Sequence, residues 1–347
     1  AKIFQYYYDQ VKKNWLTYNE YAQGHIALTA NRQNDRSMAR RILKSLSDKA
    51  IRSKDDGMYW KNNVAGYYWY QAPIETQALL ITAFDEMNYD TKAVEEMKIW
   101  LLRQKQTTHW KTTKATLSAC YALLSKGYNL LADQKPLSVK LGDKPIEKLR
   151  KVTPEAGTGY VKTSFAAAEI APEFAKISVE NQNNGIAWGA AYWQYFEQLD
   201  KITAAKTDVQ IKKQLFLKMK TEKGSVLRTI SEKDPIAVGD EVVVRIEITT
   251  RRNMEYVHLK DLRASAFEPV TTISGYKWQD GLGYYSEVKD AAMNFFIGYL
   301  PKGSYVFEYS LRATHSGQFS NGITTMQCMY APEFTTQSEG IRIKVEQ

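Results

Sequence analysis

Two periods of hydrophobic spacing divide the chain. Up to about residue 134, apolar side chains recur every three or four positions. Ala39, Ile42, Leu43, Leu46 and Ala50 share one helix face, as do Leu79, Leu80, Ala83, Phe84 and Met87. Leu117, Cys120, Tyr121 and Leu124 follow the same spacing and are expected to face a core. Pro73 suits a first helical turn, Asp90 can cap the helix carrying Val94, Met97 and Leu101, and Gly127 can close the last one. The expectation is a run of antiparallel helices joined by short turns. One longer connection, 53–72, interrupts them and is rich in aromatics: Tyr59, Trp60, Tyr67, Tyr68, Trp69 and Tyr70.

Beyond Asp133 the spacing changes. Pro136, Pro145, Pro154 and Pro172 punctuate the next stretch, and the period becomes two. Ala175, Ile177 and Val179 alternate with Lys176, Ser178 and Glu180. The turn Asn183-Asn184-Gly185 then leads into 186–196, apolar on both faces, which predicts a hairpin whose second strand is central in its sheet. A charged connector of slight helical character follows at 201–213. From Leu215 onward alternation dominates. Val242, Val244, Ile246 and Ile248 point one way; Tyr305, Phe307, Tyr309, Leu311 and Ala313 repeat the pattern, and Ile341, Ile343 and Val345 close it. Regularly spaced strands of this kind predict an antiparallel β-sandwich.

Composition narrows the function classes. A chain of 347 residues is long enough for two or three domains, and 44 % hydrophobic with 24 % charged residues is ordinary for folded protein. No stretch of about 20 apolar residues is present, so no membrane span is expected within this chain. The net charge of +9 is dispersed, with only Arg40-Arg41 and Arg251-Arg252 adjacent, which argues against a nucleic-acid-binding stripe. Two cysteines exclude a disulfide scaffold and a cysteine-rich zinc site, and no two of His25, His109, His258 and His315 lie within four residues. The 23 tyrosines suit sheet faces, interfaces and saccharide-contacting surfaces alike. The chain opens at Ala1 without a charged-then-apolar leader and is read as an excised fragment rather than as a product of signal removal.

Catalytic motifs are scarce. There is no Gly-x-Ser-x-Gly elbow and no phosphate-binding loop; Gly157-Thr158-Gly159 and Gly281-Leu282-Gly283 read as turns. Cys120 and Cys328 read as small buried hydrophobes. Glu75, Asp85, Glu86, Glu95 and Glu96 are candidates by position for acid/base pairs but read as caps or solvent-facing charges, and His109 as a loop residue rather than a base. No catalytic, cofactor or metal residue is therefore expected. The candidate interaction surface is Tyr59, Trp60, Tyr67, Tyr68, Trp69 and Tyr70; the competing and favoured reading is that these rings plug one end of the helical array.

The segment Leu259-Lys260-Asp261-Leu262-Arg263-Ala264-Ser265-Ala266-Phe267-Glu268-Pro269 is followed by Leu300-Pro301-Lys302-Gly303 leading into a strand. Arg312-Ala313, Gly317 and Phe319 then precede Met329-Tyr330-Ala331-Pro332-Glu333, with Ser338 and the final Ile-x-Ile-x-Val strand at the close. In order and spacing these residues resemble the last domain of the bacterial alpha-2-macroglobulin family. Arg263 stands where that family commonly has proline. Tyr59 and Trp60 before Ile74-Glu75-Thr76-Gln77, and Thr113-Lys114-Ala115-Thr116 opening a helix, resemble the later helices of the family's α/α-toroid.

The resemblance implies a multidomain α + β chain, with a partial α/α-toroid of antiparallel helices followed by antiparallel β-sandwich domains. It would divide as a toroid segment at 1–135, the returning half of a split CUB-like β-domain at 136–205, and a C-terminal macroglobulin-like sandwich at 206–347. The helical part is shorter than the family's toroid, which supports the fragment reading. The function implied is protease trapping: a bait segment is cut, the molecule rearranges and the attacking protease is caged, in some members also through a Cys–Gln thioester. No Cys-x-x-Gln occurs here, since Cys120 is followed by Tyr121, Ala122 and Leu123. A thioester, if the parent has one, precedes Ala1. The partners implied are proteases, met through the full-length parent in the periplasm or at the cell surface, with any membrane anchor outside this chain and no cofactor. Two alternatives stand beside this: a polysaccharide lyase-type toroid enzyme or saccharide-binding protein, and a non-inhibitory macroglobulin-like scaffold.

Overall fold

The computed structural model describes residues 2–128, 135–156, 159–183, 187, 189–205, 207–222, 224–230, 236–279 and 281–347. They fall into two units, 1–104 with 110–189, and 105–109 with 190–347.

The first unit carries helices α1 (Lys2–Asn14), α2 (Glu20–Arg32), α3 (Arg36–Lys49), α4 (Pro73–Glu86), α5 (Thr91–Thr107, whose last three residues fall in the second unit) and α6 (Thr113–Ser125). A short antiparallel hairpin, β1 (Ile51–Ser53) with β2 (Gly57–Tyr59), follows α3. Polar caps start the helices, with Asp90 in the role the sequence predicts for it. Backbone N–H groups of Ala22, Met38, Ala93 and Ala115 donate to Asn19, Asp35, Asp90 and Thr112, respectively. Pro73 occupies the first turn of α4, where its missing N–H costs nothing. Gly127 follows α6 at φ +65°, and a Cβ there would collide with Glu95 and Val94. Large side chains fill the core: Met38, Ile42, Leu43 and Leu46 from α3, Leu80, Ile81 and Phe84 from α4, Met97 and Leu101 from α5.

The apolar stripe expected to bury α6 is turned outward. Leu117, Cys120, Tyr121 and Leu124 are all exposed, and Ala115, Ala119, Ala122 and Leu123 are the buried residues. The helix carries two apolar arcs, and the alanine arc lets its backbone approach α4 closely. The larger side chains are left on the outside.

The first unit ends in a small sheet ordered β4–β3–β5, from β3 (Ser138–Leu141), β4 (Lys144–Pro145) and β5 (Ile177–Glu180), with the single turn α7 (Ile146–Leu149) beside β4. The alternation at 175–180 does form β5, but its partner is β3 and its four side chains are exposed. Asn184, Gly185, Ile186 and Trp188 of the expected hairpin lie outside the described residues, as do Gly157 and Thr158. The central strand expected through Phe196 is not formed over 190–196: these residues are irregular, with Tyr192, Trp193, Tyr195 and Phe196 exposed. A strand apolar on both faces needs a ladder neighbour and two covering layers, and the described residues supply neither.

The second unit is a β-sandwich. Its strands are β6 (Val209–Thr221), β7 (Gly224–Thr229), β8 (Ile236–Ala237), β9 (Glu241–Thr250), β10 (Met254–Leu262), β11 (Phe267–Pro269) and β12 (Gly275–Gln279). They continue with β13 (Leu282–Val288), β14 (Ala292–Leu300), β15 (Gly303–Ala313), β16 (Gly317–Ser320), β17 (Thr324–Cys328), β18 (Ala331–Gln337) and β19 (Arg342–Glu346). One sheet runs β11–β15–β9–β6–β7 and the other β12–β13–β14–β10–β17–β18; a third, β16–β19–β8, includes a parallel β8–β19 pair. The inward residues are those the alternation singled out: Val242, Val244, Ile246 and Ile248 meet Phe307 and Leu311 on one side and Leu259, Phe295 and Ile297 on the other. Over its described residues the connector expected at 201–213 is not helical. Ala205 and Gly340 donate backbone N–H groups to Gln337 and Ile202, and β6 starts at Val209 because Val209, Ile211, Lys213 and Leu215 alternate inward. That period carries a lysine into the core.

Candidate functional site

The six aromatic residues singled out in the sequence separate in the structure. Trp60 is buried, and its indole Nε1 donates to the Leu46 carbonyl at 2.8 Å. Tyr59 is half-buried and lies nearly parallel to Trp100, with ring centroids 6.4 Å apart. Tyr67, Tyr68 and Trp69 are exposed and Tyr70 is half-buried. These four form a contiguous series: Tyr67 meets Tyr68 edge-on at 5.6 Å, Tyr68 stacks on Tyr70 at 5.5 Å, and Tyr70 meets Trp69 edge-on at 5.8 Å. Gln71 holds the loop by accepting the Tyr68 backbone N–H at 2.9 Å. Trp69 reaches Tyr21 of α2, and Tyr21 reaches His25. Although His25 is exposed, partial burial, with the charges of Lys114 and Arg32, lowers its pKa below the usual imidazole range.

Beside this series lies a cleft of about 470 Å³, between the 16–23 segment and the 62–71 loop. Its floor is polar. Gln23 on α2 donates Nε2 to the Tyr18 carbonyl at 2.6 Å, which fixes the amide orientation and leaves its Oε1 buried without a partner. Thr76 on α4 has its Oγ1 in the same condition. Asn19, Asn62, Asn63 and Gln71 add amide groups to the lining, and the only charged residues in it are Glu20 and Lys49. Sequence reading missed this cleft, because its wall comes from four short stretches and no local pattern marks Gln23 or Thr76 as partnerless.

The other candidates are engaged in structure. Arg32 grips Glu86 through two hydrogen bonds, 3.1 and 2.8 Å, and that contact holds the carboxyl below its usual range. Asp85 meets Lys126 at 3.6 Å, Glu95 meets Lys98 at 3.2 Å, Glu96 meets Arg52 at 3.1 Å, and Glu75 accepts from Thr112. In the second unit His109 Nδ1 lies 2.5 Å from Glu255 Oε2. Among the described residues no group of three or more His, Cys, Asp or Glu side chains could hold a metal ion, and no helix is long and apolar enough to cross a membrane.

The cysteines differ from one another. Cys328 is buried, as expected, and burial raises its thiol pKa. Cys120, expected to be buried, is exposed on the outward stripe of α6. Ellman's reagent should therefore release about one equivalent of thiolate from the folded chain and a second only in denaturant. Two equivalents without denaturant would contradict the burial of Cys328.

A buried charge network occupies the sandwich core. Lys213 Nζ on β6 lies 2.7 Å from Asp261 Oδ1 on β10, and both side chains are fully buried. Tyr309 on β15 donates its hydroxyl to Asp261 Oδ2, and Thr324 on β17 donates to Oδ1 at 2.6 Å. Lys213 also donates to the Leu262 carbonyl at 2.7 Å. Burial, reinforced by Asp261, pushes the Tyr309 hydroxyl well above its ordinary pKa, so it stays a donor. Since β6 and β15 belong to one sheet and β10 and β17 to the other, this carboxylate ties the two layers together. Nearby, Arg263 donates to the Lys289 and Asp290 carbonyls, and burial lowers its pKa. With no open access, the network is a device of architecture, not of turnover.

Residues 209–333 match the model of the bacterial alpha-2-macroglobulin MG10 domain. Among solved structures, alpha-2-macroglobulin from Escherichia coli activated by porcine elastase is similar at 11 % identity and a TM-score of 0.41, over 98 % of this chain and 29 % of that one. The trypsin-activated protein from Escherichia coli gives 11 % identity and a TM-score of 0.42, over 98 % and 22 %. A cohesin module from Clostridium perfringens covers 34 % of this chain and 94 % of its own at 16 % identity and a TM-score of 0.24. The chain thus spans under a third of the length of these two macroglobulins. Among curated proteins, none matches the chain.

Proposed function

We propose, from the match of residues 209–333 to the bacterial alpha-2-macroglobulin MG10 domain, that this chain is the C-terminal part of a protein that traps proteases after a bait segment is cut. The MG10 match is the observation that carries the reading. In it, residues 1–135 are part of the toroid, 136–205 the returning half of a β-domain, and 206–347 the terminal sandwich. The cross-sheet Lys213–Asp261 pair gives that sandwich a rigid frame on which a cleavage-driven rearrangement can act. The outward stripe of α6 and the aromatic side chains at 192–196 are surfaces that the rest of the parent would cover. The chain itself performs no catalysis; its partners are proteases, met in the periplasm or at the cell surface.

The test is the intact mass of the protein as its cell makes it, together with trypsin assays of the chain alone. A mass several times 39.8 kDa, and an isolated chain that neither hydrolyses substrate nor inhibits trypsin, are the expected results. A mass near 39.8 kDa, or stoichiometric inhibition by the chain alone, would overturn the proposal.

A further inference from the structure

We infer that the cleft between the 16–23 segment and the 62–71 loop binds a neutral saccharide, a function separate from protease trapping. The argument begins with two orphaned atoms. Gln23 is 4 % exposed and Thr76 is 1 % exposed, both line the cleft, and Gln23 Oε1 and Thr76 Oγ1 have no hydrogen-bond partner. A buried acceptor or hydroxyl left unpaired is costly, and one on a residue that lines a cavity is satisfied when a ligand displaces its cover and supplies the missing group. An acceptor beside a hydroxyl suits a ligand that carries hydroxyls of its own.

The rest of the wall agrees. Asn63 spends its Nδ2 on the Pro73 carbonyl and Asn19 spends its Oδ1 on Ala22 N–H, which leaves the opposite end of each amide for a ligand. Gln71 likewise keeps Nε2 free while Oε1 holds the Tyr68 N–H. The lining carries one carboxylate and one ammonium, Glu20 and Lys49, so it favours neither an anion nor a cation. Aromatic rings adjoin the cleft, and a sugar's C–H face can pack on such rings. Tyr70 lines the cleft and is stacked on Tyr68, and Trp69, 76 % exposed, stands beside Tyr70. A volume of about 470 Å³ fits one or two sugar rings. A peptide is the poorer match, because the wall offers no strand edge and its only aliphatic side chains are Leu16 and Val64.

The probe is a panel of neutral hexasaccharides (of glucose in α- and β-linkage, xylose and N-acetylglucosamine), titrated into the chain by calorimetry and tryptophan fluorescence. At least one should bind with a Kd of about 1 mM or tighter. Trp69→Ala should weaken it roughly tenfold or more without loss of fold, because the ring is largely exposed. Thr76→Val keeps the shape and removes the orphan hydroxyl; it should weaken binding at least about fivefold while leaving the melting temperature unchanged or raised. A merely structural threonine would not give that combination. Trp278→Ala, at an exposed ring of the second unit, should leave binding intact. The inference is overturned if no member of the panel binds at 5 mM or so, or if Trp278→Ala abolishes binding while Trp69→Ala does not. It is equally overturned if mixed casein peptides occupy the cleft in place of every sugar. None of these results bears on protease trapping, which is read from a different assay.

Discussion

Asp261→Ala is expected to destabilise the sandwich by about 3–5 kcal/mol, because it strands the fully buried ammonium of Lys213 without its counter-charge. The loss extends beyond the ion pair. Tyr309 and Thr324 each lose an acceptor, and both are anchored in strands on either side of the core. The informative companion is Lys213→Met with Asp261→Leu, which removes both charges at once. Since burying two charges is itself costly, the double variant should recover the part of the loss that comes from the stranded ammonium, while the two orphaned hydroxyls of Tyr309 and Thr324 still cost about 1–3 kcal/mol each. Hydrogen-exchange protection of β9 and β15 peptides reads the second unit separately from the helices. A single variant as stable as the parent would mean that Lys213 escapes to solvent and that the two sheets are not tied through this carboxylate.

Trp60→Ala should cost the first unit about 3–5 kcal/mol by leaving a cavity among α3, α4 and β2 that neighbouring side chains cannot fill. Trp60→Phe should cost less, about 1–2 kcal/mol, since it preserves most of the volume and orphans only the Leu46 carbonyl. Alanine at Tyr67, which is 96 % exposed, should stay within about 0.5 kcal/mol of the parent. Urea unfolding followed by circular dichroism at 222 nm separates the three. Equal effects at Trp60 and Tyr67 would mean that the six aromatics act as one cluster rather than dividing into core and surface.

The β-sandwich was legible because its signal is local and repeated. A strand such as β9 announces which side is inward by alternation alone, and ten consecutive residues pair with β15 in the register that alternation demands. The helices were legible through their spacing and caps, with Asp90 and Pro73 placed as expected. Helix α6 was misjudged because it has two apolar arcs, and spacing alone does not say which faces the core. Small alanines gave the closer seam. The stretch 190–196 was misjudged for a related reason: a sequence apolar on both faces states a need for covering layers, not that they are present.

The candidate sites were less legible than the fold. Six neighbouring aromatics were singled out together, yet two of them belong to the core and four to the surface, a division set by the turn after β2 rather than by residue type. Asp261 was visible within a motif, but its partners Lys213, Tyr309 and Thr324 come from three other strands. Nothing in the sequence links them. The same holds for Gln23 and Thr76, whose significance lies in what they fail to contact.

Protease trapping is tested most directly by mixing the protein, as its cell makes it, with trypsin and isolating the complex. The complex is then assayed on a small chromogenic peptide and on casein. A caged protease keeps its active site but excludes large substrates, so peptide cleavage should persist while casein cleavage falls at least about tenfold. If trypsin forms no complex, or if the complex cleaves both substrates equally, this chain does not belong to a protease trap.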